Sequence, residues 1–358
     1  MRAGIVGLPL SGKSTLFRVL TGAAPGASAG RREVRVGVAR VPDPRLDTLA
    51  RMYERRRKVP ATVEYVDVPG VARGQGASLV DLPALRGLDA LVHVVRGFPS
   101  DLVPHPEGSV DPARDAGLLD LEMLLADLAL VEGRLGRLDS QIAKAHRPED
   151  AAERELFREL KAALEASLPL RELPLSAERR AHLRSYALLS EKPVLLVLNV
   201  GEEQLRGAAQ LAEQTGLARI AARPGFGLCA VSASIEAEIS QLEPGDARAF
   251  LEDLGLSEPG LDRVIRESYA LLGLISFFTV GDEECRAWTV PRGTRALQAA
   301  GAVHSDMERG FIRGEVVAFD DLKNAGSTAA CRERGTLRLE GKDYVVRDGD
   351  VIHFRFAV

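Results

Sequence analysis

Cysteine is scarce. The 358-residue chain has three, Cys229, Cys285 and Cys331, far apart and with no C-x-x-C pair among them. That argues against a disulfide framework and against a zinc site, and it fits a reducing compartment. No single charge sign dominates either. With a formal net charge of −4, bulk electrostatics gives no nonspecific hold on nucleic acid, so any RNA contact must use a local patch. Long apolar runs are also missing, and the longest, around 270–280, is too short to span a bilayer. The first residues already read as a strand, which leaves no room for a signal peptide. The expectation is a cytoplasmic protein, long enough for roughly two or three domains.

What is present begins at Gly7-Leu8-Pro9-Leu10-Ser11-Gly12-Lys13-Ser14-Thr15, which fits the phosphate-loop pattern G-x-x-x-x-G-K-[ST]. Ala3-Gly4-Ile5-Val6 before it reads as a short buried strand. Residues 15–20 after it read as a helix, with Gly22 as the stop. A glycine loop between strand and helix aims backbone N–H groups at an anion, and the helix N-terminus adds its dipole. Gly7 and Gly12 let the backbone come close. Lys13 would reach the β- and γ-phosphates, and Ser14 would ligate Mg2+. Roughly fifty residues on, a strand over 61–68 ends in Asp67-Val68-Pro69-Gly70, a D-x-x-G that puts Asp67 near the metal and the Gly70 amide near the γ-phosphate.

The remaining chain alternates strands and helices. Residues 22–30 read as a Gly/Ala/Ser/Pro loop and 33–41 as a half-exposed strand broken by Pro42-Asp43-Pro44. Residues 46–57 read as a helix ending in Arg55-Arg56-Arg57-Lys58, a basic cluster open both to RNA and to simple solvation. Residues 90–95 form a short apolar strand, followed by a loop that carries His105. From 118 to 142, Leu121, Leu125, Leu128, Leu135, Leu138 and Ile142 recur at helical spacing as a core stripe. After Pro148 a second helix turns Leu156, Leu160, Leu164 and Leu168 inward, so the pair reads as an inserted antiparallel hairpin. Buried strands over 193–200 and 228–231 run into Asn199-Val200-Gly201-Glu202 and Ser232-Ala233-Ser234. The alternation describes a doubly wound α/β domain, in which those two loops stand where a base is held; alone, each also fits an ordinary turn. From about 276 short strands and turns form a separate small α+β module, with acidic and basic side chains nearly balanced.

These residues resemble one family along nearly the whole chain, the YchF subgroup of Obg-like ATPases within the translation-factor-related P-loop class. The matching stretches include Gly4-Ile5-Val6-Gly7-Leu8-Pro9, Val41-Pro42-Asp43-Pro44-Arg45-Leu46, Val63-Glu64-Tyr65-Val66-Asp67, Glu107-Gly108-Ser109-Val110-Asp111-Pro112, and His304-Ser305-Asp306-Met307-Glu308-Arg309-Gly310-Phe311. The resemblance implies a GTPase-like domain over 1–113 and 190–274, a helical hairpin over 114–189 and a C-terminal TGS domain of β-grasp type over 275–358. It also implies Mg2+-dependent nucleoside triphosphate hydrolysis and association with the ribosome, through its large subunit or the whole particle. No DNA or membrane partner is expected, and the chain reads as a monomer.

The family's phosphate loop usually has Asn and Val where Leu10 and Ser11 stand here. No Thr matches its first switch at Ala29-Gly30-Arg31-Arg32, and its second switch is shorter here, at 70–76. Val71 follows Gly70 where many GTPases place a water-orienting Gln. The resemblance instead assigns His105 to that water. In the guanine pattern N-K-x-D, the Asp accepts from guanine and the Lys stem covers the base. Asn199-Val200-Gly201-Glu202 lacks the Lys and carries Glu, matching the family's ATP-preferring variant. Asn199 would accept from adenine N6, with the amides of Val200 and Ala233 facing the base. The nucleotide contacts expected are thus Leu10, Ser11, Gly12, Lys13, Ser14, Thr15, Gly70, Asn199, Val200, Glu202, Ser232 and Ala233, with Ser14 and Asp67 at the metal. The alternatives are a nucleotide-binding interaction module with little hydrolysis and a GTP-specific GTPase.

Overall fold

The structure is a computed structural model that describes residues 1–23, 34–54, 57–70, 80–145, 147–281 and 283–357. The expectations for residues 24–30, for Ala29-Gly30-Arg31-Arg32, for Arg55-Arg56 and for 71–76 lie outside the described residues. By packing, the chain divides into two units, Met1–Gly37 with Glu64–Leu271, and Val38–Val63 with Leu272–Val358.

The first unit is organised by a six-stranded sheet of order β2-β4-β1-β5-β6-β7. Its strands are β1 (Arg2–Val6), β2 (Arg35–Arg40), β4 (Thr62–Asp67), β5 (Ala90–Arg96), β6 (Val194–Asn199) and β7 (Phe226–Val231). The pairings of β1 with β4 and β5, of β5 with β6, and of β6 with β7 are all parallel. Every residue of β5 and β6 is buried, as continuous apolar runs must be when helices cover both faces of a parallel sheet. The order reverses direction around β1. The loops that leave the C-terminal ends of β1, β4, β6 and β7 therefore gather at one edge, where such sheets hold ligands.

The helical insert is longer than the leucine spacing indicates. Its first helix, Pro112–Lys144, starts where the Asp111 side chain accepts from the Arg114 amide and Pro112 sets the first turn. The expected core stripe is partly overturned, because Leu121 and Leu125 are exposed. The helix serves two clusters instead of one. Ala116, Leu119 and Met123 pack with the sheet residues Val95, Leu196 and Leu198, whereas Leu124 and Val131 pack with Leu156, Phe157 and Leu160 of the partner helix Pro148–Glu165. A single seven-residue repeat cannot mark two differently oriented interfaces.

Asp127 anchors the insert from the middle of that helix. It is wholly buried, and its carboxylate accepts from the Leu189 amide at 2.9 Å, the Ser190 amide at 2.7 Å and the Ser190 hydroxyl at 2.7 Å. These residues immediately precede β6. Arg171 adds a second tie: it donates to Asp120 at 2.7 Å and to the Lys192 carbonyl at 2.7 Å, and stacks 4.7 Å from the Phe226 ring centroid.

The second unit carries a mixed sheet of order β11-β10-β12-β8-β9-β3, formed by β3 (Arg57–Val59), β8 (Leu274–Val280), β9 (Glu284–Pro291), β10 (Phe311–Ala318), β11 (Arg338–Glu340) and β12 (Asp350–Phe356). The helix Ala296–Val303 packs Ala299 and Ala300 onto Ile275, Phe277, Val316 and Ile352, the β-grasp arrangement. The expected helix over 46–57 is corrected at both ends. It runs Pro44–Met52, with Asp43 capping the Arg45 amide, so Pro42-Asp43-Pro44 starts the helix rather than merely breaking a strand. Residues 57–59 leave it because they pair in parallel with β9. That pairing and the Arg45 ion pair with Asp348 at 2.7 Å place Val38–Val63 in this unit. No helix among the described residues is long and apolar enough to cross a membrane.

Asp127→Ala should lower the stability of the folded chain by about 3 kcal/mol, because two buried amides lose their acceptor. Asp127→Asn, which keeps one acceptor oxygen, should lose less. Urea unfolding of the two variants measures this, and equal midpoints for Asp127→Ala and the unsubstituted chain would remove the anchor role.

Candidate nucleotide-binding site

The backbone of the loop after β1 is shaped before any side chain acts. Gly7, Leu10 and Gly12 have φ of 150°, 66° and 93°. At Gly12 only glycine fits: the backbone is left-handed and a Cβ would collide with Asn199 Nδ2. At Gly70 a Cβ would stand 2.9 Å from the Gly7 carbonyl oxygen and 3.2 Å from Lys13 Nζ. The D-x-x-G glycine thus lies directly against the phosphate loop. The helix Lys13–Thr21 starts two residues earlier than the spacing indicates. Its N-cap, Gly12, offers no side-chain acceptor, so the first-turn amides, Thr15 among their residues, are not capped by a side chain. Leu10 is 53% exposed and holds a conformation that costs a non-glycine L-residue about 1–2 kcal/mol. Ser11 is buried, with its hydroxyl unpartnered.

The charges converge on Asp67, the last residue of β4. Ser14 Oγ donates to Asp67 Oδ2 at 3.4 Å, and the Arg35 guanidinium pairs with the same oxygen. Asp67 Oδ1 is buried without a partner. Lys13 stands close enough for its charge to feel both groups. Burial pushes its pKa down, Asp67 opposes that, and Arg35 adds to it. A hydroxyl and a carboxylate with one bare oxygen suit a hard cation such as Mg2+, which keeps several waters and uses substrate phosphates as its other ligands. Among the described residues no group of three or more His, Cys, Asp or Glu could hold a metal ion.

At the expected base side, the structure corrects two roles, those of the Ala233 and Val200 amides. Asn199 is buried and both ends of its amide are used within the protein: Nδ2 donates to the Ser11 carbonyl at 2.9 Å, and Oδ1 accepts from the Ala233 amide at 3.0 Å. The single proton of the Ala233 amide is therefore not free to face a base, whereas Asn199 Oδ1 keeps its second lone pair. The Val200 amide donates to the Val231 carbonyl at 2.8 Å, within the sheet edge. Asn199 is a clamp that joins the phosphate loop to the loop after β7. Glu202 is exposed at the start of the turn Glu202–Gly207, and Ser232 Oγ pairs with Ser234 Oγ at 3.0 Å.

His105 lies on the loop after β5, in a setting that Arg96 builds. Arg96 is buried at the strand end and donates to the Phe98 carbonyl at 3.0 Å and the Val103 carbonyl at 2.8 Å. The His105 side chain is 4% exposed. Its Nδ1 accepts from the Glu107 amide at 3.1 Å, which leaves Nε2 to carry the proton and donate to Asp115 Oδ2 at 3.0 Å.

Comparison with known proteins decides the family. Residues 2–116 match a family described as 50S ribosome-binding GTPase, and residues 274–357 match the C-terminal domain of YchF-type GTPases, described as a protein of unknown function. The chain is 41% identical over 367 residues to the ribosome-binding ATPase YchF of Bacillus subtilis (strain 168), covering 100% of each. It is 33% identical over 368 residues to Obg-like ATPase 1 of Oryza sativa subsp. japonica, covering 100% of this chain and 92% of that protein. The YchF GTPase of Schizosaccharomyces pombe superposes with a TM-score of 0.84 at 29% identity, over 99% of this chain and 97% of that one. The chain belongs to the YchF family.

It is thus a P-loop nucleoside triphosphatase built as the resemblance implies, with a GTPase domain, a helical insert and a C-terminal YchF domain. Sequence reasoning missed three charged residues that contact the candidate site residues or fix their loop. Arg35 looks like one more solvated position on an alternating strand. Asp115, one turn into the long helix, looks like a favourable helix-dipole charge. Arg96 gave the clearest available signal, a guanidinium closing an otherwise apolar buried strand.

Leu10 stands where the family usually has Asn, a residue that tolerates left-handed backbone. Leu10→Asn should raise unfolding stability by about 1 kcal/mol, read as a higher urea midpoint at unchanged slope. A lower midpoint would show that the exposed leucine contributes contacts that outweigh its strain.

Proposed function

We propose that this chain is a Mg2+-dependent ATPase that prefers ATP over GTP and works as a cytoplasmic, ribosome-associated conformational switch. One observation supports this most: the Lys13 amine, the Ser14 hydroxyl and the Asp67 carboxylate meet at an uncapped helix N-terminus, with one Asp67 oxygen bare. Lys13 and the loop amides would hold the β- and γ-phosphates, Ser14 and Asp67 the metal, and Gly70 the γ-phosphate edge. The metal would supply charge neutralisation of the phosphates. The relatives' printed names, ribosome-binding ATPase and Obg-like ATPase, support both the substrate and the ribosome as partner.

The preference for ATP rests on a penalty against guanine. Asn199 is committed to its clamp, Val200 stands where a Lys would cover the base, and Glu202 carries its carboxylate one methylene further out than Asp. Guanine would bury its N1 and N2 donors poorly matched, at about 1–3 kcal/mol each, whereas adenine has no N1 donor. In competition against one fluorescent nucleotide, unlabelled ATP should displace at lower concentration than GTP, and Lys13→Ala should bind neither. Tighter displacement by GTP would establish the GTP-specific reading.

A second reading, a nucleotide-binding module with little hydrolysis, draws on His105. Both of its ring nitrogens are engaged, by Glu107 and Asp115, so orienting a water requires it to leave them. Turnover with and without ribosomes, alongside co-sedimentation, separates the two. The switch reading expects the protein in the ribosomal pellet and His105→Ala turning over at least about tenfold more slowly with ATP affinity intact. Unchanged turnover in His105→Ala would remove the histidine from the mechanism, and absence from the pellet with every nucleotide would remove the ribosome.

A further inference from the structure

Arg35 occupies ground that a metal-binding site normally leaves to the metal. It sits on β2, extends across the Phe17 ring with its guanidinium carbon 5.4 Å from the ring centroid, and ends on Asp67 Oδ2. The same oxygen accepts from Ser14 Oγ at 3.4 Å. Ser14 and Asp67 are the two side chains whose chemistry fits Mg2+, and the guanidinium is bound to the Asp67 oxygen that Ser14 also meets. Asp67 is 6% exposed at its side chain, and its second oxygen has no partner, so an uncompensated negative charge would be costly here.

A carboxylate, a lysine and an arginine at one point leave no electrostatic place for a divalent cation as well. Adding it would set three positive groups around one carboxylate, and the arginine is the one able to leave. Its side chain is 38% exposed, so it can swing into water, where Lys13 is held by the helix start.

We propose that Arg35 is a resident cation of this site: it neutralises Asp67 when no metal is bound, and Mg2+ must displace it to bind. The inference rests on the reading of Ser14 and Asp67 as metal ligands and adds a residue that competes with the metal. It has two consequences of opposite sign. Metal-free protein keeps a neutralised Asp67 and so still accepts phosphate groups. Metal binding is weakened, because each ion that enters must break the Arg35–Asp67 pair.

The test uses Mn2+ as the probe, followed by electron paramagnetic resonance on the full-length, nucleotide-free protein, with a parallel ATP-binding titration in chelator. Arg35→Ala should bind Mn2+ about three- to tenfold more tightly than the unsubstituted chain, the range of a partly exposed ion pair. It should bind ATP in chelator about three- to tenfold more weakly, and ATP in saturating Mg2+ at least as well. Arg35→Lys, which retains a cation, should fall between. Arg35→Gln gives the same readout should the alanine variant fail to fold. Equal or weaker Mn2+ binding in the neutral variants would overturn the inference. Asp67→Asn separates this from the metal-site reading. If it abolishes Mn2+ binding while Arg35→Ala changes nothing, only the role of Arg35 falls. If Asp67→Asn leaves Mn2+ binding intact, the metal site itself is misplaced and both fall.

Discussion

A buried carboxylate must be answered by something, and Asp67 imposes that demand on every residue near it. It closes β4 beside β1, with Ile5 directly opposite in the parallel register, so the sheet itself fixes its position. Water reaches it poorly, and one of its oxygens is unpartnered. In that setting a nearby cation interacts far more strongly than it would at the surface. Lys13, Ser14 and Arg35 all face it from two elements: the helix after β1 supplies the first two, β2 the third. The gathering of charge is a consequence of parallel strand order, which delivers the ends of β1 and β4 to one edge.

Asn199 imposes the second constraint. One amide group bridges the Ser11 carbonyl and the Ala233 amide, joining the loops that follow β1, an inner strand, and β7, an edge strand of the sheet. The clamp passes so close to Gly12 that no side chain fits there. Replacing that glycine would therefore disturb the phosphate loop twice, through its left-handed backbone and through the clamp. A residue that looks like a base reader also holds the loops in register.

Much of this was legible along the chain because it is local. The glycine and lysine spacing of the phosphate loop and the continuous apolar runs of β5 and β6 each carry their own physical reason within a few residues. What was not legible depends on partners distant in sequence. Residues 57–59 leave a helical pattern to pair with β9. Leu121 and Leu125 fit a helical stripe yet face solvent, because the helix turns one part of its surface to the sheet and another to its neighbour. Asp127 reads as a surface acid in a leucine-rich helix until its amide partners at Leu189 and Ser190 are known. Charged groups are the hardest to place from spacing alone, since burial with a partner and exposure without one leave the same mark in sequence.

His105 stands in a setting that occupies both of its ring nitrogens. Orienting or activating a water requires a ring nitrogen with a free lone pair or a free proton directed at it. Here the lone pair of Nδ1 takes the Glu107 amide and the Nε2 proton goes to Asp115. The Asp115 carboxylate is itself held by Arg114 through its other oxygen at 2.8 Å, and Arg96 fixes the loop from the strand side. The imidazole is therefore locked as a hydrogen-bond donor into the start of the long helix. Any role in hydrolysis requires His105 to give up its contact with Asp115.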